Sequence, residues 1–97
     1  MSKFIIEMKG FKPTKDLMQF VREKMNRITS ESPDLSYISL LLRKNQQLYI
    51  GELTVNSSAQ SFHSENSNAE VAEVAICLVE SIERQLRTWK SLRFLPV

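Results

Sequence analysis

The longest amphipathic stretch of the chain, residues 69–92, reads AEVAEVAICLVESIERQLRTWKSL. Its apolar residues recur every three or four positions, the spacing that places side chains on one face of a helix. The pattern predicts a helix over residues 69–92, and Pro96 cannot continue it. Ser67 and Glu70 have the spacing of a capping box, in which each side chain satisfies a free amide at the helix start. The predicted apolar stripe consists of Val71, Val74, Ala75, Leu78, Ile82, Leu86 and Trp89.

A second helix is predicted over residues 15–28. Thr14, after Pro13, can accept a hydrogen bond from a free amide of the first turn, and Asp16 suits the positive end of the helix. Lys24 lies close to the apolar stripe, where its stem can cover apolar surface while the ammonium reaches water. The stripe itself consists of Leu17, Phe20, Val21, Met25 and Ile28.

Four further segments have the character of strands: residues 3–9, 36–43, 48–55 and a short one at 61–63. They are rich in aliphatic and aromatic side chains or alternate apolar and polar residues. The side chains expected to face the core are Phe4, Ile6, Met8, Ile38, Leu40, Leu42, Tyr49, Leu53 and Val55. By their spacing, four aromatic residues are assigned to the core and not to base stacking: Tyr37, Tyr49, Phe62 and Trp89.

The predicted element order is β-α-β-β-β-α. Two helices with one apolar stripe each need a common surface to cover, and one face of a four-stranded sheet offers it. We therefore predict an α+β two-layer sandwich with a mostly antiparallel sheet, which the first strand enters through a crossover. Its 97 residues fit a single domain over residues 1–97, with an ordered core of about residues 3–92 and a short tail, 93–97.

Composition excludes several classes of protein. No apolar run is long enough to span a bilayer. The apolar run near the start of the chain is also too short for the core of a signal peptide. A single cysteine cannot form an internal disulfide, so the expected location is the cytoplasm. With only two glycines no phosphate-cradling loop is expected. We predict neither an enzyme nor a membrane protein, and no cofactor or small-molecule substrate.

Catalytic and metal chemistry has few candidate residues. His63 and Cys77 could form a base and a thiol nucleophile if they met in a cleft, which would suggest a small hydrolase. No activating third group is evident, and a histidine in a strand with a buried cysteine explains both residues more simply. His63, Glu65 and Cys77 also lack the spacing of metal ligands, so no metal site is predicted.

Basic residues are concentrated towards the ends of the two helices. Residues 1–27 carry a net +4, residues 28–83 a net −6, and residues 84–97 a net +4. Cations at helix C-termini also stabilise the helix dipole, which explains part of this pattern without a ligand. If the helices lie side by side and parallel, however, both clusters meet at one edge and form a phosphate-binding surface. The candidate residues are Arg22, Lys24, Arg27, Arg84, Arg87, Lys90 and Arg93.

The order of elements and two helix patterns resemble the ribosome hibernation-promoting factors, also called ribosome-associated inhibitors or ribosomal subunit interface proteins. In the first helix the pattern is Phe20-Val-x-x-Lys-Met-x-x-Ile28, and the second ends in Ile82-Glu-Arg-Gln-Leu-x-x-x-Lys90. His63 also falls where the family often has a histidine in its fourth strand. The resemblance covers residues 3–92, and the length matches the short form of the family.

The resemblance implies a fold like that of the double-stranded RNA-binding domain. It also implies binding to the small ribosomal subunit, in the channel of messenger and transfer RNA, which stops translation in starved or resting cells. Lys24, Arg27, Arg84 and Lys90 match motif positions and carry over as ribosomal-RNA contacts. The other three candidates, Arg22, Arg87 and Arg93, rest on the basic surface alone.

The second helix departs from the family pattern, because Ala72 replaces an aromatic residue and the small-small-aliphatic-acidic run that follows is broken. Leu41 stands where the family's sheet tends to carry a lysine. These departures and the acidic middle of the chain favour an alternative: a diverged protein-interaction module of the same fold that no longer binds RNA.

Overall fold

The structure of the chain, a computed structural model, describes residues 3–93, with side chains described through residue 92. Six elements follow the predicted order β-α-β-β-β-α, and the α+β sandwich is confirmed. Within the described residues neither helix is long and apolar enough to cross a membrane. The elements are β1 (Lys3–Lys9), α1 (Lys15–Glu31), β2 (Tyr37–Asn45), β3 (Leu48–Asn56), β4 (Ser61–Asn68) and α2 (Val71–Arg93).

The four strands form one sheet in the order β1-β2-β3-β4. β1 pairs with β2 in parallel, and the other two pairings are antiparallel. α1 therefore supplies the predicted crossover between β1 and β2. Because β2 and β4 run in the same direction and each lies next to a helix of opposite direction, α1 and α2 run parallel to each other.

One core lies between the sheet and the two helices. Alternate residues of β2 and β3, such as Ile38 and Leu53, point towards the helices and are fully buried. On β4, Phe62 is 2% exposed and its ring meets that of Trp89 edge to face, with centroids 6.1 Å apart. The helices contribute Leu17, Val21, Met25, Ile28, Val74, Ala75, Leu78, Val79, Ile82 and Leu86.

Gly51 allows α2 to approach β3 closely. A Cβ built on Gly51 would lie 2.6 Å from Val74 Cγ1, 2.7 Å from Leu78 Cδ1 and 2.8 Å from Leu42 Cδ2. We expect Gly51→Ala to lower the free energy of unfolding by about 1–3 kcal/mol, since overpacking forces neighbouring side chains to move. Urea unfolding checks this. Asn56→Ala, at the exposed end of the same strand, should stay within about 0.5 kcal/mol of the parent, and an equal midpoint for both variants would contradict this packing.

The ends of the helices differ in part from the predictions. Thr14 caps α1 as predicted, and its Oγ1 accepts from the Leu17 amide at 3.1 Å. α1 continues past residue 28 to Glu31, because serine hydroxyls satisfy its last carbonyls: Ser32 Oγ donates to the Ile28 carbonyl at 2.6 Å. The capping box is wrong, because Ser67 lies within β4 opposite Ile50.

Strand β4 extends to Asn68, well past the predicted residues 61–63, because it pairs with β3 along its whole length. At its end Asn68 Oδ1 accepts from the Glu70 amide at 2.9 Å, where the capping box was predicted. Tyr37 was assigned wrongly to the core: it is 55% exposed, since its neighbour Ile38 takes the inward position.

Candidate nucleic-acid interface

Three of the predicted cations form a row along the outer surface of α2. Arg84, Arg87 and Lys90 follow each other at intervals of three residues, which makes each the neighbour of the next on a helix surface. Successive steps of three also carry the row diagonally around the helix. Within the described residues none of the three is in an ion pair with a carboxylate. We call these three residues the basic ridge.

The basic ridge crosses α2 from its β4 side to its α1 side. At one end Arg84 borders a cleft shared with Phe62 on β4. At the other end Lys90 borders a cleft shared with Ser30 and Glu31 at the end of α1. Arg84 and Arg87 are thus exposed on the helical layer, and Lys90 is half-buried on the side of α2 next to α1.

The two helices meet beside the ridge, and their parallel arrangement is confirmed by contacts along their length. Leu17 and Phe20 share a cleft with Val71 and Ile76 near the helix starts. Further along, Arg27 Nε lies 3.3 Å from Glu83 Oε2. The ends of α1 and α2 therefore lie at the same end of the molecule, as the sequence argument required.

Lys24 and Arg27 lie where α1 faces α2. Lys24 is half-buried, and its Nζ lies 5.7 Å from the centre of the Phe20 ring, a favourable cation–π distance. Arg27 is held by two carboxylates, Glu83 on α2 and Glu31 one turn along α1, the latter at 3.5 Å. Glu83 is only 13% exposed, so this pair joins the two helices and offsets much of the charge of Arg27.

Arg22 lies apart from the other candidates. It borders clefts with Phe4 and Ile5 of β1 and with Asn26, on the flank of α1 that faces away from α2. The expectation that all candidates meet at one edge is therefore wrong for Arg22, because residues 22 and 27 lie on different sides of the helix. Arg93 ends α2, and its side chain lies outside the described residues.

Helix-dipole stabilisation does not account for the basic residues of α1. The helix ends at Glu31, and its last turn contains no basic residue. Arg22, Lys24 and Arg27 thus lie in the middle of α1, too far from its C-terminus for a useful interaction with the dipole. Their positions need another reason, which for Arg27 is the pair with Glu83.

The candidate thiol and imidazole do not meet. His63 lies on the outer face of the sheet, because its neighbours Phe62 and Ser64 take the inward positions of β4. Cys77 is exposed on α2, on the opposite side of the sheet, and is not the buried residue we expected. The sheet separates the two side chains, which removes the basis for a small hydrolase with this nucleophile.

Sequence reasoning missed two residues that organise these surfaces. Gln85 binds the backbone of the edge strand β4 at both polar groups of His63: Nε2 donates to the carbonyl at 2.8 Å, and Oε1 accepts from the amide at 3.3 Å. Glu52, on β3, lies directly opposite Glu65 in the sheet register. A register prediction for β3 and β4 would have placed Glu52 next to His63 and Glu65.

Comparisons with known proteins support the fold. No protein-family model matches the sequence, and neither does any curated protein. A solved structure of a ribosomal subunit interface protein from Coxiella burnetii superposes with a TM-score of 0.74 at 18% identity, covering 94% of this chain and 99% of that one.

The second comparison is with the N-terminal domain of Protein Y from Thermus thermophilus, which gives a TM-score of 0.71 at 14% identity. It covers 87% of this chain and 94% of that one. The predicted resemblance to the ribosomal subunit interface proteins is thus confirmed at the level of the fold.

Proposed function

We propose that the chain is a ribosome-associated factor, located in the cytoplasm, that binds ribosomal RNA of the small subunit through the basic ridge. In this proposal the bound protein occupies the channel of messenger and transfer RNA and so inhibits translation in resting cells. The observation that supports the proposal is a row of cations with no carboxylate partner among the described residues, on a fold shared with a protein named for the ribosomal subunit interface. Catalysis has no part in this function.

The chemistry of the ridge fits phosphate groups. Arginine offers a planar fork of donors that matches a phosphate, and lysine offers a compact charge. Arg84 and Arg87 are exposed and Lys90 is half-buried. Because none of the three has a carboxylate partner among residues 3–92, a phosphate does not have to displace one. Such contacts give affinity and orientation without reading sequence, which suits the irregular backbone of a folded RNA.

The other candidates have different parts in this proposal. Lys24, half-buried on the side of α1 that faces α2, is available to a phosphate bound at the helix contact. Arg27 acts mainly by fixing α1 against α2 through Glu83. Arg22 contacts RNA only if the binding site wraps around α1, and Arg93 stays a candidate from the sequence alone.

Co-sedimentation tests the function. The purified chain, mixed with separated small and large ribosomal subunits at low salt, should travel with the small subunit in a gradient. It should also reduce translation from a reporter messenger RNA in a reconstituted system, in proportion to the subunits occupied. Association with neither subunit, or full translation at saturation, would contradict the proposal.

A second candidate, a protein-interaction module, is favoured by apolar residues exposed at one end of the sheet. Ile5 and Tyr37, on the outer face of β1 and β2, are 42% and 55% exposed, and the preceding Leu35 is 72% exposed. Leu35 also has a positive φ of 64°, a conformation that is strained for a leucine. This alternative predicts that Ile5→Ser with Tyr37→Ser abolishes association with a protein partner. Variants of the basic ridge should leave that association unchanged.

A further inference from the structure

A second cluster of chemically active side chains lies on the outer face of the sheet, the face that α2 and the basic ridge do not cover. Glu52 is opposite Glu65, and Thr54 is opposite His63, in the pairing of β3 with β4. Alternate residues of a strand share a face, so all four side chains project from the same surface. The register therefore brings together donors that are far apart in sequence.

The three ionisable groups converge on a small volume. His63 Nε2 lies 2.9 Å from Glu65 Oε1 and 3.9 Å from Glu52 Oε1. One ligand atom of each residue lies within 4.8 Å of the other two. In a tetrahedral zinc site with bonds of about 2.0–2.2 Å, neighbouring ligand atoms are roughly 3.4 Å apart. The observed separations bracket that value, so small rotations of exposed side chains would complete the geometry.

The charge of the cluster favours a cation. Two carboxylates face a single imidazole, and among the described residues neither Glu52 nor Glu65 has another cationic partner. Even a protonated His63 leaves one negative charge uncompensated. A divalent cation bound between the three groups neutralises both carboxylates and is coordinated by the imidazole nitrogen through its lone pair.

His63 is held in place from two sides before any ligand arrives. Its Nδ1 is 3.0 Å from Thr54 Oγ1, and its backbone amide and carbonyl are bound by the Gln85 side chain. Without a cation, Nε2–H donates to Glu65 Oε1 at 2.9 Å and Nδ1 accepts from the Thr54 hydroxyl. When a cation displaces the proton from Nε2, Nδ1–H can donate to Thr54 Oγ1, and the Nε2 lone pair faces the ion. A hydrogen bond to the remote nitrogen is the usual partner of a metal-binding histidine.

We propose that Glu52, His63 and Glu65 form a binding site for one first-row divalent cation. One imidazole and two carboxylates are a donor set that suits Zn²⁺ and its neighbours better than Mg²⁺ or Ca²⁺, which prefer oxygen alone. Three protein ligands leave a further position for water, because the site faces solvent. It lies on the opposite side of the sheet from the basic ridge, so it binds its ion independently of RNA.

Calorimetric titration with Zn²⁺ tests this site on the untagged 97-residue chain. His63 is the chain's only histidine, and Cys77→Ser removes the only cysteine, so no competing histidine or thiol remains. We expect one Zn²⁺ per chain in this background. His63→Gln, Glu52→Gln and Glu65→Gln should each weaken binding at least tenfold, and Thr54→Val should weaken it about tenfold by releasing the ring.

Glu7→Gln is the matched control, because Glu7 is an exposed carboxylate on the same face and in the same row as Glu52, with Leu41 between them. It should bind Zn²⁺ as the parent does, and Zn²⁺ should raise the melting temperature of both proteins but not that of His63→Gln. Binding that survives His63→Gln, or that Glu7→Gln weakens as much as Glu52→Gln does, would overturn the site.

Discussion

A double charge reversal, Arg84→Glu with Lys90→Glu, should weaken binding to small ribosomal subunits by about 100-fold or more. Each lost hydrogen bond between a cation and a phosphate removes about 1.5–3 kcal/mol, and the new carboxylates repel the RNA. Arg84 is exposed and Lys90 is half-buried at the helix surface, and neither belongs to the core, so the fold should persist. Affinity is measured with a fluorescently labelled chain titrated with purified small subunits, and circular dichroism confirms the fold of the variant.

The matched control reverses two cations on the other side of the sheet. Lys3→Glu with Arg43→Glu changes the net charge by the same amount, and both residues lie on exposed positions of β1 and β2. If association depends on the basic ridge, the affinity of this control for small subunits should be within a few-fold of the parent's affinity. Equal losses in the two double variants would mean that net charge, and not the ridge, determines binding.

Truncation of Phe62 should produce the largest loss of stability in the chain. Phe62→Ala removes a ring that is 2% exposed and that packs against Trp89, and such changes cost about 3–5 kcal/mol. Typical domains have only about 5–15 kcal/mol of stability in total. The last turns of α2, which carry Arg87 and Lys90, pack on β4 through this contact, so binding should weaken together with stability.

Urea unfolding followed by fluorescence measures this effect, because Trp89 is the only tryptophan and lies at the contact itself. Phe62→Leu keeps much of the apolar volume and should lose clearly less stability than Phe62→Ala. An unfolding midpoint for Phe62→Ala within error of the parent would show that β4 and α2 do not depend on this ring.

The sequence predicted the elements well where local patterns decide them. β1 has the predicted bounds, and both helices were found from their apolar spacing. The errors lie where distant pairing overrides local preference. The Asn- and Ser-rich segment after His63 has little tendency to form a strand, yet it pairs with β3 as far as Asn68. For the same reason Ser67 lies within β4 and does not cap α2.

The candidate site was predicted less completely than the fold. Spacing alone correctly placed Arg84, Arg87 and Lys90 along one helix, since neighbours three residues apart are a local property. The ion pair of Glu83 with Arg27, 3.3 Å apart across the helix contact, was not predicted. That pairing depends on how far one helix is shifted along the other, which no local pattern encodes.

The Glu52, His63 and Glu65 cluster was missed for a related reason. His63 was compared with Cys77, but Cys77 lies beyond the sheet, and the third side chain comes from the neighbouring strand. Strand register fixes which residues face each other, and a shift of one residue would move every side chain to the other face.

The most direct test of the account is the salt dependence of binding to the small subunit. If the ridge binds phosphates, the logarithm of the affinity should fall linearly with the logarithm of the salt concentration, with a slope of about −0.7 to −0.9 for each phosphate contacted. Arg87→Gln should make that slope shallower by about one contact and lower the affinity. A slope near zero, or one that Arg87→Gln leaves unchanged, would contradict binding through the basic ridge.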